Sequence, residues 1–295
     1  MAGWIGGLAE WREGNTAFLS VAFTWKLNEA FDRANFLRAQ GLNVKAGGPA
    51  LFLVKMKHIL ADVAECGTEY PDAVFRHNPN ATFASRGCPV GCWFCIVPKM
   101  EGKEFKLLDN FPVRPILCDN NLSALPADYQ DHIISRYKAE GVELMDANSG
   151  FEPMTFSDEV FNRWKEINRG PWRFAYDETK EREQVLNVMK MLKVEPMNKK
   201  RVYVLIGNEP FEACMARIYE TIENGCEPHV QPFIPLNSLY REPQARHDWT
   251  VQKLKDVARW ANSWMWRRFK FDEYDRTIKK EVEVYDEKQG LFTFA

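Results

Sequence analysis

The segment that says most about the fold and the chemistry of this chain is Ser85-Arg86-Gly87-Cys88-Pro89-Val90-Gly91-Cys92-Trp93-Phe94-Cys95. Three cysteines, Cys88, Cys92 and Cys95, lie within eight residues at the spacing Cys-x3-Cys-x2-Cys. Three thiols so close together cannot all pair as disulfides, because one is left over and the connecting loops are too short. Thiolates are ligands for soft metals and iron–sulfur clusters. The spacing therefore predicts that all three bind one metal centre.

Three protein ligands leave one coordination position of such a centre open. On a four-iron cube, three cysteines leave the fourth iron without a protein thiolate. An open position is typical of a metal that does chemistry, as in catalytic zinc sites. A structural zinc site is the alternative, but it usually needs a fourth Cys or His, commonly as a second pair. The nearest histidine, His77, lies eleven residues before Cys88, and no CxxC pair occurs among the other cysteines, Cys66, Cys118, Cys214 and Cys226.

Cys88, Cys92 and Cys95, with Phe94 directly before the last cysteine, resemble the signature of the radical S-adenosylmethionine (radical SAM) superfamily. The resemblance implies that the cysteines hold a 4Fe–4S cluster and that SAM chelates the fourth iron. It also implies reductive cleavage of SAM to a 5′-deoxyadenosyl radical, which abstracts hydrogen from a substrate. In such enzymes the cofactor carries the chemistry, and the protein supplies position and excludes side reactions. A flavodoxin or ferredoxin would supply the electron, and the sequence does not identify the substrate.

Short β-type runs recur after the cysteine loop at intervals of roughly 27 to 30 residues, which is the length of one strand–helix unit. Together with a first strand at Ala81–Ser85 they make six units, and strands that alternate with helices predict parallel pairing. We therefore predict an α/β fold. The resemblance implies a partial (β/α)6 TIM-like barrel over residues 79–270. The later runs are Pro115–Cys118, Val142–Met145, Trp172–Tyr176, Arg201–Ile206 and His229–Ile234.

Polar segments follow several of these strands, and active sites of parallel α/β proteins form at the carboxyl ends of the strands. The segment Asp119-Asn120-Asn121 stands where many family members carry Gly-Gly-Glu, and Tyr203 replaces the first glycine of a Gly-x-Ile-x-Gly segment. Helix capping is the alternative role for these polar residues, including Asp177 and Glu178. The resemblance implies SAM contacts at Phe94, Asn120, Asn121, Asn148, Ser149, Leu205 and Gly207.

Residues 1–78 predict a truncated, Rossmann-like α/β extension, with a buried strand at 17–23, a helix that ends at Gly41 and a second strand before Gly48. This order resembles the later half of the cobalamin-binding domain that precedes the barrel in one radical SAM class. The Asp-x-His-x-x-Gly loop of that domain does not occur in this segment, and we expect no bound cobalamin. His58 is interpreted as an exposed helix position. A cobalamin-dependent radical SAM methyltransferase is the alternative function.

The composition excludes some partners and favours others. The net charge is -2 and the sequence pI about 6.3, so no basic field predicts nucleic-acid binding. The aromatic and basic stretch Trp260–Lys270 could contact nucleic acid, but a helix packed on the barrel is favoured. Residues 271–295 read as a tail. The scattered cysteines favour a reducing compartment, and the absence of an apolar run or signal-peptide pattern favours a cytoplasmic location. A non-enzymatic iron–sulfur or zinc-binding protein is the second alternative.

Overall fold

The computed structural model describes residues 3–52, 59–67, 70 and 72–275, and the backbone of 282–286 and 290–294. His58 lies outside the described residues, as do 279–281 and 287–288 of the C-terminal tail. Among the described residues the fold is mixed α/β, with several sheets and none of them closed into a barrel. The predicted α/β class is confirmed. No described helix combines the length and apolar character that crossing a bilayer requires.

The strands of the described chain are mostly short. They are β1 Leu8–Glu13, β2 Thr16–Val21, β3 Asn43–Gly47, β4 Glu65–Cys66, β5 Ala81–Thr82, β6 Ser85–Arg86, β7 Lys106–Leu107, β8 Ile116–Leu117, β9 Asp146–Ala147, β10 Trp172–Ala175, β11 Lys200–Ile206, β12 Glu227–Pro232, β13 Val282–Asp286 and β14 Gly290–Phe294. The α-helices are α1 Leu27–Ala39, α2 Pro49–Phe52, α3 Ala73–His77, α4 Val97–Met100, α5 Ala127–Glu140, α6 Asp158–Lys165, α7 Arg182–Met191, α8 Phe211–Glu223 and α9 Val251–Asn262.

The N-terminal extension is a four-stranded sheet in the order β1-β2-β3-β4. The strands β1 and β2 form an antiparallel hairpin, and β2, β3 and β4 are parallel. Helix α1 lies between β2 and β3 in the chain and buries Leu27, Ala30, Ala34 and Leu37 against the sheet. The predicted strand–helix–strand order is confirmed. The domain bounds 1–78, 79–270 and 271–295 stay predictions.

The six strands that were predicted after residue 80 pair in parallel and in chain order. They form two three-stranded sheets, β5-β8-β9 and β10-β11-β12. An isolated parallel bridge between Phe151 and Phe174 links the chain just after β9 to β10. The carboxyl ends of all six strands therefore lie along one edge of this array, which positions the loops that follow them.

The helices cover one face of these strands, and the core lies between. Trp164 of α6 is fully buried there with Trp172 and Phe174 of β10, and its indole Nε1 donates to Gln130 Oε1 at 2.9 Å. A second cluster buries Val202, Val204 and Ile206 of β11 against α8 and α9. Apolar side chains at every second strand position account for both clusters, because successive side chains point to opposite faces.

Two predicted strands differ from the structure. The third strand is Asp146–Ala147 rather than Val142–Met145, because the N–H groups of Met145 and Asp146 both donate to Pro115 O, at 2.8 and 3.1 Å, and the chain bulges there. The first strand stops at Thr82. Beyond it, the Ala84 N–H donates to Asp119 Oδ1 at 2.7 Å, and β6 turns away to pair antiparallel with β7.

The aromatic C-terminal stretch packs partly on the core. Trp260 is fully buried and donates from Nε1 to Phe269 O at 3.1 Å, as the packed-helix alternative predicts. Trp264 is 46 % exposed, and its Nε1 donates to Glu227 Oε1 at 2.7 Å. In the tail, β13 and β14 form an antiparallel hairpin.

Candidate functional site

The three clustered cysteines lie in the loop between β6 and α4, at the carboxyl edge of the parallel strands. Cys88, Cys92 and Cys95 are half-buried free thiols. Gly87 opens the loop at φ +91°, and a Cβ there would lie 2.2 Å from Glu104 O. Only glycine fits this left-handed position, since a side chain would clash with backbone that cannot move aside. The local sequence Arg-Gly-Cys thus sets the direction in which the loop leaves the strand.

The carboxylate of Glu101, whose side chain is only 8 % exposed, anchors the loop. It accepts hydrogen bonds from Gly87 N at 2.9 Å and from Asn120 Nδ2 at 2.7 Å, and it pairs with the Arg86 guanidinium. Asn120 Nδ2 also donates to Gly87 O at 3.1 Å. The beginning and end of the loop are therefore tied to each other and to the end of β8.

The environment of the thiols opposes a negative charge on sulfur in the absence of a cation. Burial, and then the charges of the neighbouring Cys95, Glu152, Asp177 and Cys88, together raise the pKa of the Cys92 thiol to about 12. Burial also raises the pKa of Cys95. Its Sγ accepts the backbone N–H of Val97 at 3.4 Å, which stabilises a thiolate. A metal centre would reverse the balance, because a coordinating thiol is deprotonated by the metal's own charge.

The donor set fits an iron–sulfur cluster in its chemistry. Three free thiols share one short loop, and one of them already accepts an N–H of the kind that tunes cluster sulfurs. Over the described residues, no three His, Cys, Asp or Glu side chains are arranged to hold a single metal ion. A 4Fe–4S cluster sets a different requirement, because each cysteine ligates a separate iron.

A cavity of about 1220 Å³ adjoins the cysteine loop. One wall is formed by Ile96 at the end of that loop, by Met100 of α4 and by Glu101 directly after α4. The facing wall belongs to the N-terminal extension, including Phe23 and Gly48. The extension is tied to the loop after β12 where Thr24 Oγ1 donates to Ser238 O at 2.5 Å. The cavity therefore lies between the two parts of the molecule, at the carboxyl ends of the strands.

Three predicted SAM contacts line this cavity, namely Asn120, Asn148 and Ser149. The amide nitrogen of Asn120 is engaged in holding the loop, as described above. Cys118 also lines the cavity, and burial raises the pKa of its thiol while the Asn148 side chain lowers it. Whether these residues contact SAM stays a prediction.

The other predicted contacts lie elsewhere among the described residues. Phe94 packs edge-on against Trp93, with ring centroids 5.3 Å apart. The Oδ1 of Asn121 accepts from Ser123 Oγ and Ala124 N, which is a turn-capping arrangement. Leu205 and Gly207 lie at and just beyond the end of β11. The sequence predicted that all seven residues contact one ligand, whereas only three of the seven line this cavity.

The carboxylates after β10 have separate roles. Glu178 caps the short 3₁₀ turn Thr179–Glu181, which matches the capping alternative. Burial, and then the charge of Glu181, raises the pKa of Asp177 to about 7. Asp177 is therefore a carboxyl group that exchanges its proton near pH 7, and its negative charge raises the pKa of the Cys92 thiol.

Two site residues escaped the sequence reasoning. Glu101 carries no motif signal, since it lies in a charged stretch, Glu101–Lys106, that reads as solvated loop. Arg217 on α8 is 1 % exposed and pairs with Glu209 at 3.1 Å, while its guanidinium also donates to Tyr176 O. The sequence did contain a signal for Arg217, since it lies among the apolar residues of an amphipathic helix. A charge at such a position must be paired when it is buried, and so indicates a partner.

Comparisons with known proteins identify no family. No protein-family model and no curated protein sequence matches the chain. The function is therefore argued from the chemistry and geometry of the site.

Proposed function

We propose that the protein is a radical SAM enzyme in which Cys88, Cys92 and Cys95 hold a 4Fe–4S cluster. The observation that carries the proposal is the position of three free thiols on one anchored loop at the carboxyl edge of the parallel strands; the residues that flank this loop, Arg86 and Ile96, line a large cavity. When bound with SAM, the cluster supplies the electron for reductive cleavage of SAM and hence for hydrogen abstraction from a substrate.

The proposal includes a partial (β/α)6 barrel over residues 79–270. Six parallel strands in chain order support it, as does the Phe151–Phe174 bridge between the two sheets. Helices on one face leave the other face as the inner side of such a barrel. Asp146, Arg173 and Tyr203 lie on this side.

The residues of the chain position the reactants in this scheme. Glu101 and Gly87 hold the cysteine loop in place, and the Val97 N–H stabilises charge on Cys95. Asn148 and Ser149 offer polar groups to SAM from the cavity wall. The ring of Trp93 connects the cysteine loop to the last strand, because its centroid lies 5.2 Å from that of Phe233, which follows β12. An electron donor of the flavodoxin or ferredoxin type completes the reaction.

Anaerobic reconstitution with iron and sulfide tests the proposal. We expect about four irons per chain, a brown chromophore, and 5′-deoxyadenosine after addition of dithionite and SAM. Alanine at Cys88, Cys92 or Cys95 should abolish iron binding and product. The matched control is Cys226→Ala, since Cys226 is buried in the core of β11 and α8 and should not affect iron content. A chain that binds one zinc ion and forms no 5′-deoxyadenosine would contradict the proposal.

A cobalamin-dependent methyltransferase is a second candidate, because the cavity lies between the N-terminal extension and the strand ends. His77 lines the cavity, but its Nε2 is engaged with Ser20 Oγ at 2.9 Å, and burial lowers its pKa. Corrinoid that copurifies with the chain, and turnover that depends on added cobalamin, would favour this candidate over the first.

A further inference from the structure

The cavity receives the carboxyl ends of strands from two separate parallel arrays. Phe23 follows β2 and Gly48 follows β3 in the N-terminal sheet, while Asn120 and Asn148 follow β8 and β9. Ligands of α/β proteins bind beyond the carboxyl ends of parallel strands. The two halves of the cavity therefore each have the position of a ligand site.

The volume of the cavity exceeds the usual volume of a site for one small molecule. Sites for one small molecule occupy roughly 300–1000 Å³, and this cavity measures about 1220 Å³. Under the proposed function, SAM takes the half that adjoins the cysteine loop. The half that is formed by the N-terminal extension then remains for a second molecule.

The extension presents an aromatic stack to this half. The rings of Phe23 and Trp25 are parallel within 8°, with centroids 4.6 Å apart, and both line the cavity. Gly7 lies beneath Phe23, and a Cβ at Gly7 would come within 2.4 Å of the Phe23 ring. Phe23 nevertheless remains 45 % exposed. An aromatic pair that is held in place and partly exposed in this way offers a surface for another flat π system, which packs against such rings offset or edge-on.

The cations on the cavity wall differ in their partners. Lys26 is paired with Glu29 at 2.5 Å, and Arg86 is paired with Glu101. Arg241 lines the same cavity and has no ion pair or hydrogen bond to any residue that the structure describes. Its guanidinium is therefore available to an anionic group of a ligand, and Arg binds carboxylate and phosphate through paired N–H groups.

We propose that the N-terminal half of the cavity is the substrate site and takes a small molecule with a planar aromatic ring and an anionic group. The ring stacks on Phe23 and Trp25, and the anion binds Arg241. The term substrate rests on the proposed radical SAM function, whereas the binding itself does not.

A pair of fluorescent probes separates the two contacts. The anionic probe is 1-anilinonaphthalene-8-sulfonate, and the neutral one is N-phenyl-1-naphthylamine, which has the same rings without the sulfonate. We expect saturable one-to-one binding of both probes to the full chain. Arg241→Gln should weaken binding of the anionic probe about tenfold and leave the neutral probe unchanged. The matched control, Arg12→Gln, removes an exposed arginine of the N-terminal extension that does not line the cavity, whereas Arg241 belongs to the loop after β12 and does line it.

A second substitution tests the stack. Trp25→Leu should weaken both probes roughly threefold to tenfold, and circular dichroism should show an unchanged fold. The proposal is overturned if no saturable binding occurs, if Arg241→Gln affects both probes alike, or if cobalamin occupies the cavity tightly. Binding is measured before and after cluster reconstitution. Probe binding without 5′-deoxyadenosine formation would refute the proposed function alone, and the reverse result would refute this site alone.

Discussion

The two faces of the parallel strands differ in composition, although both are formed by the same strands, whose successive side chains point to opposite faces. Toward the helices the strands present Trp172, Val202 and Val204, which are almost fully buried. On the opposite face, Arg173 pairs with Asp146 at 2.8 Å and Arg201 pairs with Glu227 at 2.9 Å. The helix side is a packed apolar core, and the inner side is a chain of paired charges.

The difference indicates that one face of the strands stabilises the fold and that the other is suited to bind ligands. Apolar burial against the helices drives folding and is roughly proportional to area. Charges on the inner face lose their hydration when they are buried, and the attraction within each ion pair compensates for that cost only in part or just fully. Tyr203 extends the polar network, since its hydroxyl accepts from the Arg173 guanidinium and its ring packs 4.9 Å from His229. A face of this composition suits polar ligands better than it suits a core.

The largest effect is expected from the helix face. Trp164→Ala removes a fully buried indole and its hydrogen bond to Gln130, and should lower the free energy of unfolding by about 3–5 kcal/mol. Urea denaturation measures the change. Exposed Trp264→Ala serves as the control and should cost far less. Equal losses at both positions would break the distinction between core and surface.

Next comes the ion pair on the inner face. Arg173→Met leaves Asp146 without its partner and should destabilise the fold by about 3 kcal/mol, at the low end for buried pairs because both side chains are partly exposed. The double variant Arg173→Met with Asp146→Leu should recover most of that loss. A double variant as unstable as the single one would mean that packing rather than charge matters here.

A pH dependence is expected from Asp177 at the cysteine edge. Burial raises its folded-state pKa to about 7, so between about pH 4 and pH 7 the folded state holds a proton that the unfolded chain releases. The free energy of unfolding should therefore fall as pH rises through this window. Three pKa units correspond to roughly 4 kcal/mol, and we expect about half of this, about 2 kcal/mol, because Asp177 is only partly shielded from solvent. Asp177→Asn should reduce this slope in metal-free protein, and the part that remains belongs to other buried carboxyl groups such as Asp119, whose pKa burial raises to about 6. A variant that keeps the slope would assign it to other groups.

The smallest effect is expected at the edge of the polar network. Tyr203→Phe removes one hydroxyl that accepts from Arg173 and should cost about 1 kcal/mol. Thermal unfolding followed by circular dichroism measures it. Tyr240→Phe is the control, because Tyr240 is 71 % exposed and outside this network. Stabilisation by Tyr203→Phe would show that the inner face is strained by its hydroxyl.

Much of the fold could be predicted because it depends on local patterns. The period of strand–helix units predicted six parallel strands that alternate with helices, and the structure has all six. The third strand was misplaced because Val142–Met145 has strand propensity, whereas the bonds of Met145 and Asp146 to Pro115 O are made across the sheet. A propensity carries no information about such a bulge.

By itself the sequence determined the cysteine spacing, the α/β class and the polar residues at the strand ends, since each depends on neighbours along the chain. The tertiary structure alone decided that Glu101 anchors the cysteine loop and that Asn120 is engaged in holding it. It also decided that the extension and the strand ends enclose one cavity. These features join residues that are distant in sequence, and no periodic pattern records which distant side chains will meet.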